Sequence, residues 1–280
     1  MSLRSIAKSS VAQMTRLFGD TRVGRFMSEQ ITEGAISRVR TIRHGQTSLS
    51  FCVPNALNHD RAATFSTKEP ETLRWLDSIS ENSVLWDVGA NVGLYSCYAA
   101  KARACRVIAF EPSVFNLELL ARNVHVNGLT DRITIVPLPL FEKVSDGVLN
   151  MSSTRAGGAL STFNESYGFD GKPLQSVFQV RTIGLPLDSA LELLALPQPD
   201  YLKMDVDGIE HLILRGGARV LSRIKGLSVE INDAFEEQAR ECERLLSAAG
   251  LTMTGKERAD MFETGDEAYR RTFNQVWSRA

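Results

Sequence analysis

The stretch VLWDVGANVGLYS, at residues 84 to 96, places an acid and two glycines directly after an apolar run. Asp87 ends the run, and Gly89 and Gly93 flank a turn that leads into a helical pattern. Glycine permits a positive φ angle and lets a ligand approach the backbone closely. The GxxxG spacing lacks the middle glycine of the GxGxxG motif, in which a helix N-terminus receives a pyrophosphate. The carboxylate of Asp87 would repel a pyrophosphate, but it suits an ammonium or sulfonium group.

A second acid, Glu111, stands 24 residues after Asp87 and is followed by Pro112 at the end of the next apolar run. An acid at the end of the second strand of an open α/β sheet accepts hydrogen bonds from ribose hydroxyls. The ligand therefore has a nucleoside at one end and cationic character at the other, and S-adenosylmethionine meets both demands. The structural alternative is a tight turn followed by an unrelated acid, because GxxxG alone is not specific.

A third group of acids lies in YLKMDVDGIEH, at residues 201 to 211, where a strand passes into a helix. If the strand stays extended, Asp205 and Asp207 point to the same side. A carboxylate within hydrogen-bond reach of a hydroxyl can take its proton as a general base. We predict Asp205 or Asp207 in that role, with Glu210 and His211 as weaker candidates.

Two other interpretations of these acids stay open. In the structural one, Asp207 caps the helix, and another acid pairs with Lys203 or Arg215. In the other, Asp205, Asp207 and Glu210 supply oxygen ligands to a magnesium ion that acidifies a hydroxyl. Three acids without a further Asp or Asn make a thin magnesium site, so we predict no metal.

Alternating apolar strands and amphipathic helices occupy the chain from residue 66 onward. Continuous apolar strands joined by helices predict a mostly parallel sheet that helices cover on both faces. Ligands bind such a sheet outside the carboxyl ends of its strands, and all three groups of residues above follow a strand. Near the end of the chain, LTMTGKERA and TFNQVWSRA are predicted as strands without a long helix between them, which indicates an antiparallel terminal hairpin.

Residues 1 to 65 form a predicted N-terminal extension, and residues 66 to 280 form the main domain. Residues 1 to 45 are predicted to be helical and carry eight Lys or Arg against three Asp or Glu. They form either a solvated helical pair packed on the main domain or an arm that contacts an acidic substrate or membrane surface. Residues 142 to 175 are rich in Ser, Gly and Asn and are too long for an ordinary connection, so this insertion is functional or mobile and could be a substrate lid.

The overall composition is that of an ordinary globular protein, with 43% hydrophobic residues and a formal net charge of −1. Nucleic acid is not expected as a partner, because such proteins usually show a strongly basic domain or stripe. No run approaches the 18 apolar residues of a membrane span, and no signal-peptide pattern is present, so we expect a cytoplasmic protein. The four cysteines form no CxxC pair. No pattern indicates an oligomeric state.

The sequence resembles the FkbM family of S-adenosylmethionine-dependent methyltransferases over roughly residues 69 to 235. The resemblance rests on VLWDVGANVGLYSCYAA, AFEPSVFNLELLARNVHVNGL, TIGLPLDSAL, DYLKMDVDGIEHLILRGG and GLSVEIN. It implies the Rossmann-like class I methyltransferase fold with a seven-stranded sheet. The cofactor residues that it implies are Asp87, Gly89, Asn91, Gly93 and Glu111, and the acids that it places by the reaction centre are Asp205, Asp207 and Glu210.

One departure from the family concerns Asp207, where the family commonly has Glu. The shorter side chain brings the carboxylate nearer to the backbone. The distance that this carboxylate can reach towards a substrate is therefore not the one that the family's Glu implies. The family implies O-methylation of a small hydroxylated molecule, such as a sugar or a polyketide-type natural product, and a nitrogen acceptor stays open. The alternatives are a non-catalytic S-adenosylmethionine-binding protein and an NAD-dependent oxidoreductase on a similar sheet, against which the missing GxGxxG and the terminal hairpin both count.

Overall fold

A computed structural model describes residues 9 to 258, except 12, 14 and 17, and residues 269 to 279. Its main sheet has seven strands in the order β11-β12-β10-β9-β3-β4-β5. Their bounds are β3 (Val84–Val88), β4 (Arg106–Phe110), β5 (Ile133–Val136), β9 (Tyr201–Met204), β10 (Gly226–Asn232), β11 (Thr252–Glu257) and β12 (Thr272–Ser278).

Five neighbouring strands of this sheet, from β10 to β5, are parallel, and β12 runs antiparallel to both β10 and β11. The predicted mostly parallel sheet with an antiparallel terminal hairpin is therefore confirmed. The central strand β3 is apolar because both of its faces are covered: Leu85 packs into one hydrophobic cluster and Trp86 into another.

Helices cover the two faces of the sheet. One face carries α4 (Pro70–Ser78), α5 (Leu94–Ala102) and α6 (Val114–Val126), and the other carries α7 (Leu187–Leu193), α8 (Glu210–Arg215), α9 (Ala218–Leu221) and α10 (Glu236–Ala248). Before them lie α1 (Arg22–Ile36), α2 (Ala56–Ala63) and α3 (Phe65–Lys68). Among the described residues, no helix is both long and apolar enough to cross a bilayer.

The pattern of residues 209 to 224 predicts one helix, but the structure divides it into α8 and α9 at Gly216 and Gly217. A Cβ at Gly216 would lie 2.7 Å from the carbonyl oxygen of Phe141, and one at Gly217 would lie 2.5 Å from Leu187 Cδ1. The two glycines let the chain pack against these neighbours, and glycine is also a poor helix former.

The insertion at residues 142 to 175 contains regular structure. Strands β6 (Ser145–Met151), β7 (Ser161–Phe163) and β8 (Phe178–Gly184) form a separate antiparallel sheet in the order β7-β6-β8. The sequence predicted only β8, because Ser145 and Gly147 share the inward face of β6 with Leu149 and Met151 and leave that face without a continuous apolar pattern. The small sheet thus rests on the same hydrophobic cluster as α8.

Part of the N-terminal extension forms a hairpin where a helix was predicted. Strand β1 (Val39–His44) pairs antiparallel with β2 (Thr47–Cys52), which corrects the helical prediction for residues 39 to 44. The β2 backbone is bound to α6 by two asparagines: Ser50 N–H donates to Asn127 Oδ1, and Cys52 N–H donates to Asn123 Oδ1. From β1 onward the extension is therefore attached to the main domain.

Candidate active site

A cavity of about 550 Å³ opens at the carboxyl ends of β3, β9 and β10. That volume lies within the usual range of small-molecule sites, roughly 300–1,000 Å³. Its lining includes the glycine turn after β3, two of the predicted acids after β9, and residues of the N-terminal extension and the insertion. The lining residues are Leu57, Arg61, Phe65, Lys68, Glu69, Gly89, Ala90, Asn91, Leu94, Tyr95, Ala159, Leu160, Lys203, Asp205, Asp207, Glu230 and Tyr269.

The glycine turn has three residues with positive φ angles, namely Gly89 (82°), Asn91 (52°) and Gly93 (80°). A Cβ on Gly89 would lie 1.9 Å from the carbonyl oxygen of Asp205, and a Cβ on Gly93 would lie 2.3 Å from Leu120 Cδ1. Sequence reasoning assigned these glycines to close approach by a ligand. In the structure, their absent side chains first make room for the protein itself, and the glycine turn touches the acidic segment directly.

Asp87 lies behind the cavity wall, with 1% of its surface exposed. Its Oδ2 accepts a hydrogen bond from Ser96 Oγ at 2.6 Å, and its Oδ1 lies 3.5 Å from Lys203 Nζ. Among the described residues, Oδ1 has no hydrogen-bond partner. A buried carboxylate oxygen in this state can accept one more donor, and a cationic group is the donor that it would favour.

Glu111 is also buried, and its carboxylate is held on both oxygens. Oε2 accepts from Asn91 N–H at 2.8 Å, while Oε1 accepts from Ser113 N–H at 2.8 Å and from Asn116 Nδ2 at 3.3 Å. Burial raises the pKa of Glu111 to about 7, against the lowering effect of these hydrogen bonds. The next residue, Pro112, lines a second, small apolar cavity of about 40 Å³ that also reaches Gly89.

A short segment of the insertion, residues 156 to 161, crosses the site, and we call it the strap. Its Gly158 carbonyl accepts from Asn91 Nδ2 at 2.9 Å and from Asn116 Nδ2 at 3.1 Å. The strap therefore contacts two of the three residues that also bind Glu111.

The N-terminal extension holds the strap from the other side. Asn55 and Asn58 both donate from Nδ2 to the carbonyl oxygen of Ala156, at 3.1 and 2.7 Å. Arg61 Nε donates to the carbonyl oxygen of Gly157 at 3.1 Å. Extension, insertion and glycine turn thus form one connected wall of the cavity.

The acidic segment does not continue as a strand, because β9 ends at Met204 and Asp207 has a φ angle of 62°. The turn nevertheless directs Asp205 and Asp207 into the same cavity. Asp207 Oδ2 accepts from the backbone N–H groups of Leu160 and Ser161 in the strap, at 2.6 and 3.2 Å. Burial, with a further contribution from the Asp205 charge, raises the pKa of Asp207 to about 7.

Sequence reasoning treated Lys203 only as an ion-pair partner, but the structure places it at the centre of a buried cluster of charges. Its Nζ lies 3.5 Å from Asp87 Oδ1, 3.6 Å from Asp205 Oδ2 and 5.4 Å from the centroid of the Tyr95 ring. Burial alone would lower the pKa of Lys203, but Asp87 and Asp205 outweigh it, so the pKa is raised and the amine stays charged.

Two glutamates that sequence reasoning missed complete this cluster. Glu69 pairs with Lys68 Nζ at 3.0 Å and accepts from the Tyr95 hydroxyl at 3.0 Å. Burial would raise the pKa of Glu69, but Lys68 and Lys203 outweigh that effect and lower it. Burial raises the pKa of Glu230 well above its ordinary value, and the Asp205 charge adds to this.

Glu210 does not reach the cavity, unlike the other two predicted acids. Its carboxylate accepts from the N–H groups of Val206 and Gly208, each at 3.1 Å, and from Gln238 Nε2. Burial raises its pKa to about 8. Glu210 therefore closes the turn that presents Asp205 and Asp207.

His211 is buried against the Phe235 ring, with centroids 5.7 Å apart. It does not line the cavity that Asp205 and Asp207 line. Burial and the nearby Arg215 lower its pKa, so it stays neutral. Across the described part of the chain, no group of three or more His, Cys, Asp or Glu side chains is arranged to hold a metal ion.

A parallel sheet that ends in an antiparallel hairpin, with a glycine turn after its central strand and acids at the neighbouring strand end, defines the class I methyltransferase fold. The comparison with protein families agrees, because residues 87 to 255 match the Methyltransferase FkbM domain. The chain therefore belongs to the FkbM methyltransferase family. Membership implies S-adenosylmethionine as the cofactor.

Two curated relatives are similar to this chain. The hexuronic acid methyltransferase AglP of Haloferax volcanii is 28% identical over 181 residues, which cover 63% of this chain and 66% of AglP. The methyltransferase sdnD of Sordaria araneosa is 27% identical over 179 residues, which cover 50% of this chain and 62% of sdnD. The chain thus spans slightly less than two thirds of either relative.

Among solved structures, a methyltransferase FkbM from Methylobacillus flagellatus KT is similar in fold. It shares 17% sequence identity and a TM-score of 0.49, and the match covers 71% of this chain and 44% of that one.

Proposed function

We propose that this protein transfers the methyl group of S-adenosylmethionine to a hydroxyl group of a small molecule, with Asp207 as the general base. The observation that carries the proposal is the position of Asp207, whose carboxylate lines the same cavity as Gly89 and Asn91. Cofactor turn and candidate base therefore face a common space. Methyl transfer needs that arrangement, because the two reactants must be held in line.

The residues of the site fit this cofactor. We assign Asp87, Gly89, Asn91, Gly93 and Glu111 to its binding, with Pro112 beside them. The Asp87 carboxylate lies behind the cavity wall and faces Lys203, so it favours the cationic end of the molecule through its charge and not through direct contact. Glu111 suits the ribose, and the apolar walls of the small cavity beside Pro112 suit contact with one edge of the flat base. A nucleoside at Glu111 would compete with the strap for the side-chain amides of Asn91 and Asn116. We therefore propose that residues 156 to 161 act as a lid that moves aside for it.

S-adenosylmethionine, when bound, supplies an already activated methyl group, so the protein has to position the acceptor and remove its proton. Asp207 is the better placed of the two candidate bases. Both of its backbone donors bind Oδ2, which leaves Oδ1 for the proton of a substrate hydroxyl. Its pKa of about 7 also suits a base that works near neutral pH. The carboxylate of Asp205 faces Lys203 instead, and we assign it to holding that charged amine beside the cavity.

A sugar is the acceptor that we favour within the class of small hydroxylated molecules. AglP, named for a hexuronic acid, is one support. The other is the cavity, which is lined by both acidic and basic side chains and could bind several hydroxyls at once.

The test is formation of S-adenosylhomocysteine in the presence of a panel of neutral and acidic sugars, hydroxylated natural products and amines. We expect turnover with at least one sugar. Asp207→Asn keeps the size of the side chain and removes the base, so it should lower kcat by roughly 10²–10⁴-fold while S-adenosylmethionine still binds.

Asp146→Asn is the matched control, because Asp146 is an exposed carboxylate on β6 that pairs with Arg181. Its kcat should not change. Full activity of Asp207→Asn would remove Asp207 from the mechanism. Binding of S-adenosylmethionine without turnover on any acceptor would favour the non-catalytic alternative.

A further inference from the structure

Helix α1 projects from the protein with its apolar side in solvent. Eleven of its fifteen residues are exposed, and Gly24, its one buried residue, is covered by the preceding Phe18 backbone. A helix of this length is only marginally stable by itself, since most helical stability in proteins comes from packing an apolar face. Among the described residues, the apolar side of the helix therefore has no packing partner.

The apolar side of α1 is a continuous stripe. Val23, Phe26, Met27 and Ile31 fall at the 3–4 residue spacing of one helix face, and they are 64%, 62%, 46% and 68% exposed. Gly34 continues the stripe without a side chain. A stripe of large exposed side chains with polar edges marks an interaction surface.

The charges of α1 indicate what the stripe binds. Arg22 and Arg25 lie in its first half, and Glu29 and Glu33 lie in its second half. No acid lies in the first turn and no base in the last turn. Acids near the N-terminus and bases near the C-terminus stabilise a helix through its dipole, and α1 has the reverse order. These charges therefore do not stabilise the isolated helix.

A second copy in the antiparallel direction would satisfy both the stripe and the charges. Arg22 and Glu33 lie along the same edge of the stripe, whereas the opposite edge carries Ser28 and Thr32. When two such helices cross antiparallel near Met27, like edges face each other, so Arg22 of each copy meets Glu33 of the other. A parallel pair would instead bring the charged edge against the uncharged one.

We propose that α1 is a dimerisation arm, and that two copies of this chain associate through an antiparallel pair of α1 helices. The polar side of α1 carries equal numbers of Arg and Glu, whereas helices that lie on a lipid surface are rich in Lys and Arg on that side. The dimer is symmetric, because each copy uses the same patch.

The experiment measures the mass of the full chain in solution by light scattering and sedimentation over a range of concentrations. The wild type should be dimeric. Ile31→Asp should weaken the dimer by at least about tenfold in Kd, because it puts a charge into the stripe. Leu193→Asp is the matched control, since Leu193 is equally exposed, at 68%, on a different helix. The control should leave the dimer intact.

Charge reversal tests the direction of the pair. One double variant carries Arg22→Glu and Arg25→Glu, and the other carries Glu29→Arg and Glu33→Arg. Each should be monomeric at concentrations where the wild type dimerises. A mixture of the two should form a heterodimer. All these side chains are exposed, so the variants should keep the thermal unfolding midpoint of the wild-type monomer.

Three results would overturn the proposal. The first is a wild type that stays monomeric into the high micromolar range. The second is a dimer that Ile31→Asp leaves intact, or one that neither charge-reversed variant weakens when that variant is measured by itself. The third is a monomer that floats with anionic phospholipid vesicles in an Ile31-dependent way, which would assign the stripe to a lipid surface.

Discussion

Replacement of Gly89 by alanine tests how the glycine turn and the acidic segment are joined. The added Cβ would stand 1.9 Å from the carbonyl oxygen of Asp205 and 2.9 Å from its carbonyl carbon. Neither atom belongs to a flexible side chain, so one of the two backbone segments has to move. We therefore expect Gly89→Ala to disturb folding and catalysis together.

The magnitude has two parts. A φ angle of 82° costs an L-residue roughly 1–2 kcal/mol. The steric contact adds about 1–3 kcal/mol, as is typical when extra atoms are forced into a packed region. Gly128→Ala isolates the first part, because Gly128 has a φ angle of 66° and a Cβ there would meet nothing within 4 Å. The loss of unfolding free energy should be larger for Gly89→Ala than for Gly128→Ala by the steric part, about 1–3 kcal/mol.

Urea unfolding followed by circular dichroism measures both variants, and calorimetric titration measures their affinity for S-adenosylmethionine. The shift of Asp205 should also lower kcat, since about 1 Å of misplacement near a reacting group costs up to roughly 10²-fold. Equal losses of unfolding free energy in the two variants would refute the steric argument. A Gly89→Ala protein with wild-type kcat would refute the coupling of the turn to the acids.

Two further predictions follow from buried groups of the site. The free energy of unfolding should fall as pH rises from about 6.5 to about 8: Glu111, Asp207 and Glu210 have pKa values raised to about 7, 7 and 8, so the folded state holds protons that the unfolded chain has already released. His211, with its lowered pKa, opposes this trend only below pH 6.5, and a flat or rising thermal midpoint over the stated interval would contradict the burial of these acids. Asp207→Ala should speed amide hydrogen exchange at Leu160 and Ser161 by at least about tenfold, because their N–H groups lose the Asp207 Oδ2 acceptor. Asp205→Ala is the control, and equal exchange in the two variants would show that Asp207 does not hold the strap.

The main sheet could be predicted because its signals are local. Continuous apolar runs such as that of β3 can only be buried on both faces, and the amphipathic segments between them can only be helices that cover the sheet. Strand β6 was not predicted, although its alternation is also local, because Ser145 and Gly147 on its inward face and the Gly-rich segment after it resemble a loop.

The site was predictable only where a motif contained its residues. Asp205 and Asp207 lie two positions apart at the end of one strand, so their convergence with the glycine turn followed from the rule that strand ends meet at one edge. Glu69 stands before α4, Tyr95 lies in α5 and Glu230 lies in β10, and only the folded sheet brings them around Lys203. Their contact with the Lys203 amine is set by the fold and leaves no pattern in the sequence.

The strap connects parts of the chain that the sequence presented as separate. Asn55, Asn58 and Arg61 of the extension bind one side of it, and Asp207 binds the other. A strap that moved aside for the cofactor would break bonds to the extension and to the candidate base at the same time. Release of the strap would then open the cavity beside Asp207, whose Oδ1 takes the substrate proton, while the nucleoside occupied Glu111. In our proposal, cofactor entry and the readiness of the base are therefore two consequences of one displacement.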